Sequence, residues 1–195
     1  MSPHHDYLVP HVTRHVRERF RGARARVLDL GCGNGSVTAS LAALGHDVMG
    51  VDISEEGIER AKKAYPHLKF AVASVYDSDL IERAGGEFDA VVSLEVIEHL
   101  YYPRRLFEQA HRLLHKGGLL VVSTPYHGYW KNLALSLVDG WDPHFGVTWD
   151  GGHIKFFSVK ALTVMAGEAG FLHIRWQGVG RLPWLWKSTI LVAEK

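Results

Sequence analysis

The chain has 195 residues, enough for one well-cored domain and too few for two of ordinary size. Hydrophobic residues make up 47% and charged residues 22%, as in a globular protein, and a net charge of +1 gives no electrostatic reason to expect a nucleic-acid partner. A lone cysteine, Cys32, excludes an internal disulfide, and no apolar stretch reaches the roughly 18 residues of a spanning helix. Where a signal peptide would carry an apolar run, the sequence has His4, His5, Asp6 and His11, so a cytoplasmic protein is expected.

In chain order, residues 1–25 hold a leading helix over 7–20. Its arginines, with Arg24 and Arg26 beyond it, read as a solvated face. Residues 27–30 form a short apolar run typical of a buried strand. Residues 31–35 are a turn, and 36–44 a helix with Val37, Leu41 and Leu44 at helical spacing. A second strand covers 48–52. Ser54 then caps a helix to about Ala64, with Glu55 and Glu56 at its positive end. Further strands are expected over 69–73, 88–94 and 119–123, with a helix over 103–114 and a turn at 116–118 between the last two. A helix over 159–169 and strands over 171–177 and 188–193 close the chain. Strands alternating with helices imply right-handed crossovers and a mainly parallel sheet covered on both faces, in a single domain spanning 1–195.

Residues 125–157 break this rhythm. They hold Tyr126, Tyr129, Trp130, Trp141, Phe145 and Trp149, with His127, His144 and His153. Such a segment is either a surface loop with its own aromatic core or a substrate lid. Its position after a strand's carboxyl end favours the lid, because open α/β sheets bind ligands there.

Asp29-Leu30-Gly31-Cys32-Gly33-Asn34-Gly35 follows a strand and opens a helix. Glycines let such a backbone turn sharply and approach a ligand without Cβ clashes. Asp52, at the tip of the next strand, carries a carboxylate able to accept both hydroxyls of a ribose. A dinucleotide dehydrogenase would favour G-x-G-x-x-G, whereas the spacing here is G-x-G-x-G preceded by an acid. A nicotinamide oxidoreductase is therefore disfavoured, and a cofactor-binding module without catalysis is the other alternative.

Four stretches together, Val27 to Gly35, Gly50 to Ser54, Phe88 to Ser93 and His115 to Leu119, resemble the motifs of class I S-adenosylmethionine-dependent methyltransferases. The resemblance runs from Val27 to about Phe171. It implies a Rossmann-like, doubly wound α/β fold, with a mainly parallel seven-stranded sheet, an antiparallel last strand and a helical, aromatic lid after strand five. It also implies that Asp29, Gly31 and Gly33 border S-adenosylmethionine, that Asp52 holds its ribose, and that Ile53 packs on its adenine. Ser74 and Val75 approach the adenine edge, and Leu94 lies beside the methionine portion. Many relatives carry an acid at the end of strand three, where this chain has Ala73-Ser74 and places Asp77 slightly later.

The stretch Ser93-Leu94-Glu95-Val96-Ile97-Glu98-His99-Leu100 sets three ionisable side chains at i, i+3 and i+4. On a helix starting after strand four they would share one face. This resembles the E-x-x-E-H motif of ubiquinone-biosynthesis O-methyltransferases and small-RNA 2′-O-methyltransferases. That likeness implies a divalent cation, Mg²⁺ or Zn²⁺, on Glu95, Glu98 and His99, with His153 as fourth ligand and His127 and His144 competing for that role. Without metal, His99 or His153 would serve as general base, with Glu98 beside them. The leading expectation is O-methylation of a small aromatic or lipid-linked hydroxyl. The alternatives are metal-free N- or C-methylation and, less favoured on charge, RNA 2′-O-methylation. Residues 183–187, Pro-Trp-Leu-Trp-Lys, either touch a membrane surface or bury their tryptophans beside the last two strands. Oligomeric state is not readable.

Overall fold

The computed structural model describes residues 7–150 and 152–195. The readings placed on His4, His5 and Asp6 lie outside the described residues. Seven strands form: β1 (Arg26–Leu30), β2 (Asp47–Asp52), β3 (Lys69–Val72), β4 (Phe88–Leu94), β5 (Leu114–Pro125), β6 (Leu172–Val179) and β7 (Ser188–Glu194). The helices are α1 (Val9–Phe20), α2 (Ser36–Ala42), α3 (Glu55–Ala64), α4 (Leu80–Arg83), α5 (Arg104–Leu113), α6 (Tyr129–Leu137), α7 (Trp141–Phe145) and α8 (Val159–Glu168).

The strands make one sheet in the order β3-β2-β1-β4-β5-β7-β6. Pairing is parallel from β3 to β5, while β7 runs antiparallel to both β5 and β6. This is the expected doubly wound arrangement. The strand order reverses between β1 and β4, which opens a crevice at the carboxyl edge between them.

Alternation along the strands divides the core in two. Val27, Ala90, Val92, Val121 and Ile190 pack with Val12 and Val16 of α1 and with Val37 and Leu41 of α2. The intervening Leu28, Val91, Leu120 and Leu191 pack with Leu106 and Phe107 of α5 and with Leu162 of α8. Burying each such aliphatic side chain contributes about 1.5–3 kcal/mol. The central strands are therefore fixed from both faces, and their carboxyl ends become a rigid rim for a site. Ser54 caps α3 as expected, its Oγ accepting from the Gly57 amide at 3.0 Å.

The fifth strand is longer than expected. The 116–118 turn is absorbed as an irregularity, with Phe88 opposite Leu114 and Ala90 opposite Leu119, and Gly117 adopts φ +76° within it. Residues 125–157 contain two helices, α6 and α7. Phe145 stacks on Trp141, 5.1 Å between ring centres, and meets Phe156 edge-on at 4.5 Å. The segment thus has a small aromatic core of its own and also walls a hollow described below.

Candidate active site

The glycine turn is held by the neighbouring strand. The Gly31 and Cys32 amides both donate to the Val51 carbonyl, at 2.7 and 2.9 Å. Gly31 has φ +86°, and a Cβ there would run into the Val96 side chain, so the chain needs glycine at this crossing. Asp52 is wired into the same turn. Its Oδ2 accepts from the Gly33 amide and its Oδ1 from the Ser54 amide, both at 2.8 Å. Each oxygen keeps a further lone pair able to accept a hydrogen bond.

Asp29 is 1% exposed and accepts a 2.6 Å hydrogen bond from Thr38 Oγ1. Burial pushes its carboxyl up to about 7. With Gly31, Gly33, Ser54 and Leu94 it borders a cavity of about 270 Å³. Ile53 stands 70% exposed beyond Asp52, an apolar surface open to a flat partner. After β3, Val75 is buried, and the Ser74 amide donates to Asp77 Oδ2 at 2.9 Å. Asp77 thus holds the loop after β3. A larger hollow of about 690 Å³, bordered by Arg26, Asp47 and Lys69, lies at the opposite edge of the sheet, away from the carboxyl ends where such folds bind ligands.

The stretch after β4 departs from the expected helix. Glu95 takes φ +54°, in the left-handed region, and a single 3-10 turn over Ile97–His99 follows. The left-handed residue cannot be the start of a right-handed helix, and Ile97 is drawn fully into the core, so the three ionisable groups do not share one helical face. Glu95 turns toward β5 and β7. Its Oε1 accepts from Ser123 Oγ at 2.7 Å and its Oε2 from Ser188 Oγ at 3.3 Å, while Ser188 meets Tyr7 Oη at 2.7 Å. Burial pushes the Glu95 carboxyl up to about 7 and the Tyr7 phenol up to about 12.

Glu98 is fully buried. Thr124 Oγ1 donates to its Oε2 at 3.0 Å, while Oε1 has no hydrogen-bond partner among the described residues and lies 3.9 Å from His153 Nε2. Burial, reinforced by Glu95, holds the Glu98 carboxyl well above the usual carboxylate range. The backbone fixes this meeting: the Ile154 and Lys155 amides donate to the Glu98 carbonyl at 3.0 and 3.1 Å. His99 Nδ1 is 3.2 Å from the Gly152 carbonyl. A carbonyl only accepts, so Nδ1 is the donor in this contact. Glu98, His99 and His153 each offer one ligand atom, all within 4.8 Å of one another. Glu95 is not in that group, and His127 and His144 line the hollow from the lid side.

That hollow, about 570 Å³, joins chain segments far apart in sequence. Tyr7, Lys131, Arg181, Lys187 and Ser188 also border it; apart from Lys187, which closes the 183–187 stretch, no local pattern marks them, since Tyr7 and Lys131 lie far in sequence from the end of the chain that carries the others. Lys131 is 4% exposed; burial lowers its ammonium to about 8, with Arg181 acting in the same direction. His127 is lowered to about 3, chiefly by burial and then by Lys131. His153 is lowered by burial and by His99. In the 183–187 stretch Trp184 is 55% exposed, while Trp186 packs on Tyr126 and Trp176. No helix among the described residues is long and apolar enough to cross a membrane.

A family model described as a methyltransferase domain matches residues 5–174. The chain belongs to the methyltransferase-domain family. Among curated relatives, a ubiquinone biosynthesis O-methyltransferase of Xanthomonas oryzae is 37% identical over 114 residues, covering 56% of this chain and 47% of that protein. One of Bradyrhizobium diazoefficiens is 34% identical over 159 residues, covering 77% of this chain and 59% of its own length. The chain spans about half the length of the first curated relatives it matches. A magnesium protoporphyrin IX methyltransferase from Synechocystis with bound S-adenosylhomocysteine superposes with a TM-score of 0.74 at 22% identity, over 96% of this methyltransferase domain and 82% of that chain. That likeness shows the fold, the Rossmann-like one of the class I methyltransferases.

Proposed function

We propose that the protein transfers a methyl group from S-adenosylmethionine to a hydroxyl of a small acceptor. The observation that carries this reading is the unpaired Glu98 Oε1, buried beside His153 and His99 at the carboxyl rim of β4. The names of the curated relatives, O-methyltransferases of ubiquinone biosynthesis, support oxygen as the nucleophile.

S-adenosylmethionine, when bound, supplies a methyl carbon activated by its sulfonium. The glycine turn and Asp52 would hold its adenosyl portion, Ile53, Ser74 and Val75 its base, and Asp29 and Leu94 the side of its amino-acid group. The protein's task is then to align the acceptor oxygen and remove its proton. His153, whose pKa is lowered by burial, is able to take that proton, and the His99 ring stands beside it, 5.0 Å between ring centres.

A buried carboxylate oxygen without a partner, next to two imidazoles, also fits a divalent cation such as Mg²⁺ or Zn²⁺. Glu98, His99 and His153 would hold it, with the Glu95 carboxyl as a neighbour fixed by serines. There it would lower the pKa of an acceptor hydroxyl. The histidines and Phe145 around the hollow suit a flat, aromatic acceptor of modest size.

The test is turnover of a catechol-type probe, 3,4-dihydroxyphenylacetate, followed by S-adenosylhomocysteine release and by detection of the methyl ether. Glu98→Ala should cut kcat at least ~100-fold while leaving S-adenosylhomocysteine affinity within ~2-fold. Exhaustive chelation separates the two routes: lost activity restored by Mg²⁺ or Zn²⁺ supports the cation, and unchanged activity supports the histidine base. Parental activity in Glu98→Ala would remove this cluster from catalysis.

A further inference from the structure

Among the described residues three cations border the acceptor hollow, Lys131, Arg181 and Lys187, against one carboxylate, Glu95, whose two oxygens already accept from serines. Lys187 Nζ lies 5.2 Å from the centre of the Tyr7 ring and so faces a π-system. Lys131 is the unusual member. Its side chain is nine-tenths buried or more, and Nζ donates to one acceptor, the Tyr126 carbonyl at 2.5 Å. An ammonium has three protons to place, and a buried charge lacking a counter-ion is costly. No carboxylate within ion-pair distance of Lys131 or Arg181 occurs among the described residues. Arg181, on the exposed connection between β6 and β7, presents the paired donors that match a planar oxyanion.

Resting on the acceptor reading above, we propose that the acceptor carries a carboxylate, bound by Lys131 and Arg181 in the hollow that also holds His99 and His153. Glu95, beyond ion-pair distance, is the one carboxylate whose charge acts on Lys131, and an anion in the hollow would add a direct partner and orient the acceptor's hydroxyl by a second, distant anchor. Neither cation borders the cavity at the glycine turn, so they are separate from the groups that would meet the cofactor's own amino-acid end.

The test compares 3,4-dihydroxyphenylacetate with its methyl ester, which lacks the charge, by calorimetric titration into the full chain saturated with S-adenosylhomocysteine. The acid should bind at least ~10-fold more tightly than the ester, and Arg181→Gln and Lys131→Met should each shrink that margin several-fold with the ester's affinity unchanged. Arg181 is exposed, so its variant keeps the test informative even should Lys131→Met unfold. Equal affinity for acid and ester, no binding of the acid, or a margin surviving Arg181→Gln overturns the proposal. So does weakened S-adenosylhomocysteine binding in the variants, which would put the cations on the cofactor's carboxylate. Acid binding through these cations without methyl ether would leave the anion site standing and remove hydroxyl methylation. Acid and ester methylated equally well would do the reverse.

Discussion

Asp29 shows how one buried group ties the cofactor cavity to stability. Its carboxyl sits at about 7 rather than near 3.8 because burial disfavours the charged form more than the Thr38 hydrogen bond favours it. A folded-state pKa raised above the unfolded value means that the folded chain binds the extra proton between those two values. The favourable contribution is fully present below about pH 4 and is lost as pH rises through about 7. Asp29→Asn removes this titration while its Oδ1 still accepts from Thr38. The cofactor-free variant should therefore gain stability over the parent as pH rises from 5 to 8, by up to about 3 kcal/mol. Urea unfolding of both chains across that range measures it, and a constant difference would contradict the burial argument. Glu95 has the same sign, whereas His127, lowered by burial, acts oppositely at acid pH, so only the parent-minus-variant difference is diagnostic.

At the scale of elements, the turn after β1 is the most constrained piece of backbone. It combines a left-handed residue, Gly31, with direct contact to Val96 from the segment after β4. Gly31→Ala should cost about 1–3 kcal/mol from the positive φ and more from the collision, lowering the urea midpoint with the slope unchanged. A midpoint equal to the parent's would mean that the two segments do not meet here. The elements legible in the sequence were α1, the seven strands, α2, the capped α3, α5 and α8, whereas the short α4 carried too few residues to show a period. Helices were expected in the aromatic segment 125–157, but aromatic density did not mark their bounds, those of α6 and α7. The i, i+3, i+4 spacing at Glu95, Glu98 and His99 suggested a helix because spacing carries no information about φ. The left-handed backbone at Glu95 sends its carboxylate to Ser123 and Ser188 instead.

For the whole molecule, the sheet order is what turns these parts into a site. The reversal between β1 and β4 sets the glycine turn beside the segment that carries Glu98, and the antiparallel β7 brings Ser188 and the Arg181 connection to the same rim. The meeting of the glycine turn with the Asp52 strand tip was legible because the two lie close in sequence. Around the hollow, His99, His127, His144 and His153 were legible from the motif and the aromatic segment, whereas Tyr7, Lys131 and Arg181 were not, because they come together only through the fold. The account stands or falls with where an adenosyl ligand sits. The most direct measurement is a crystal structure grown with S-adenosylhomocysteine: the account predicts both ribose hydroxyls on the Asp52 carboxylate and the adenine against Ile53, and a sugar bound anywhere else would contradict it.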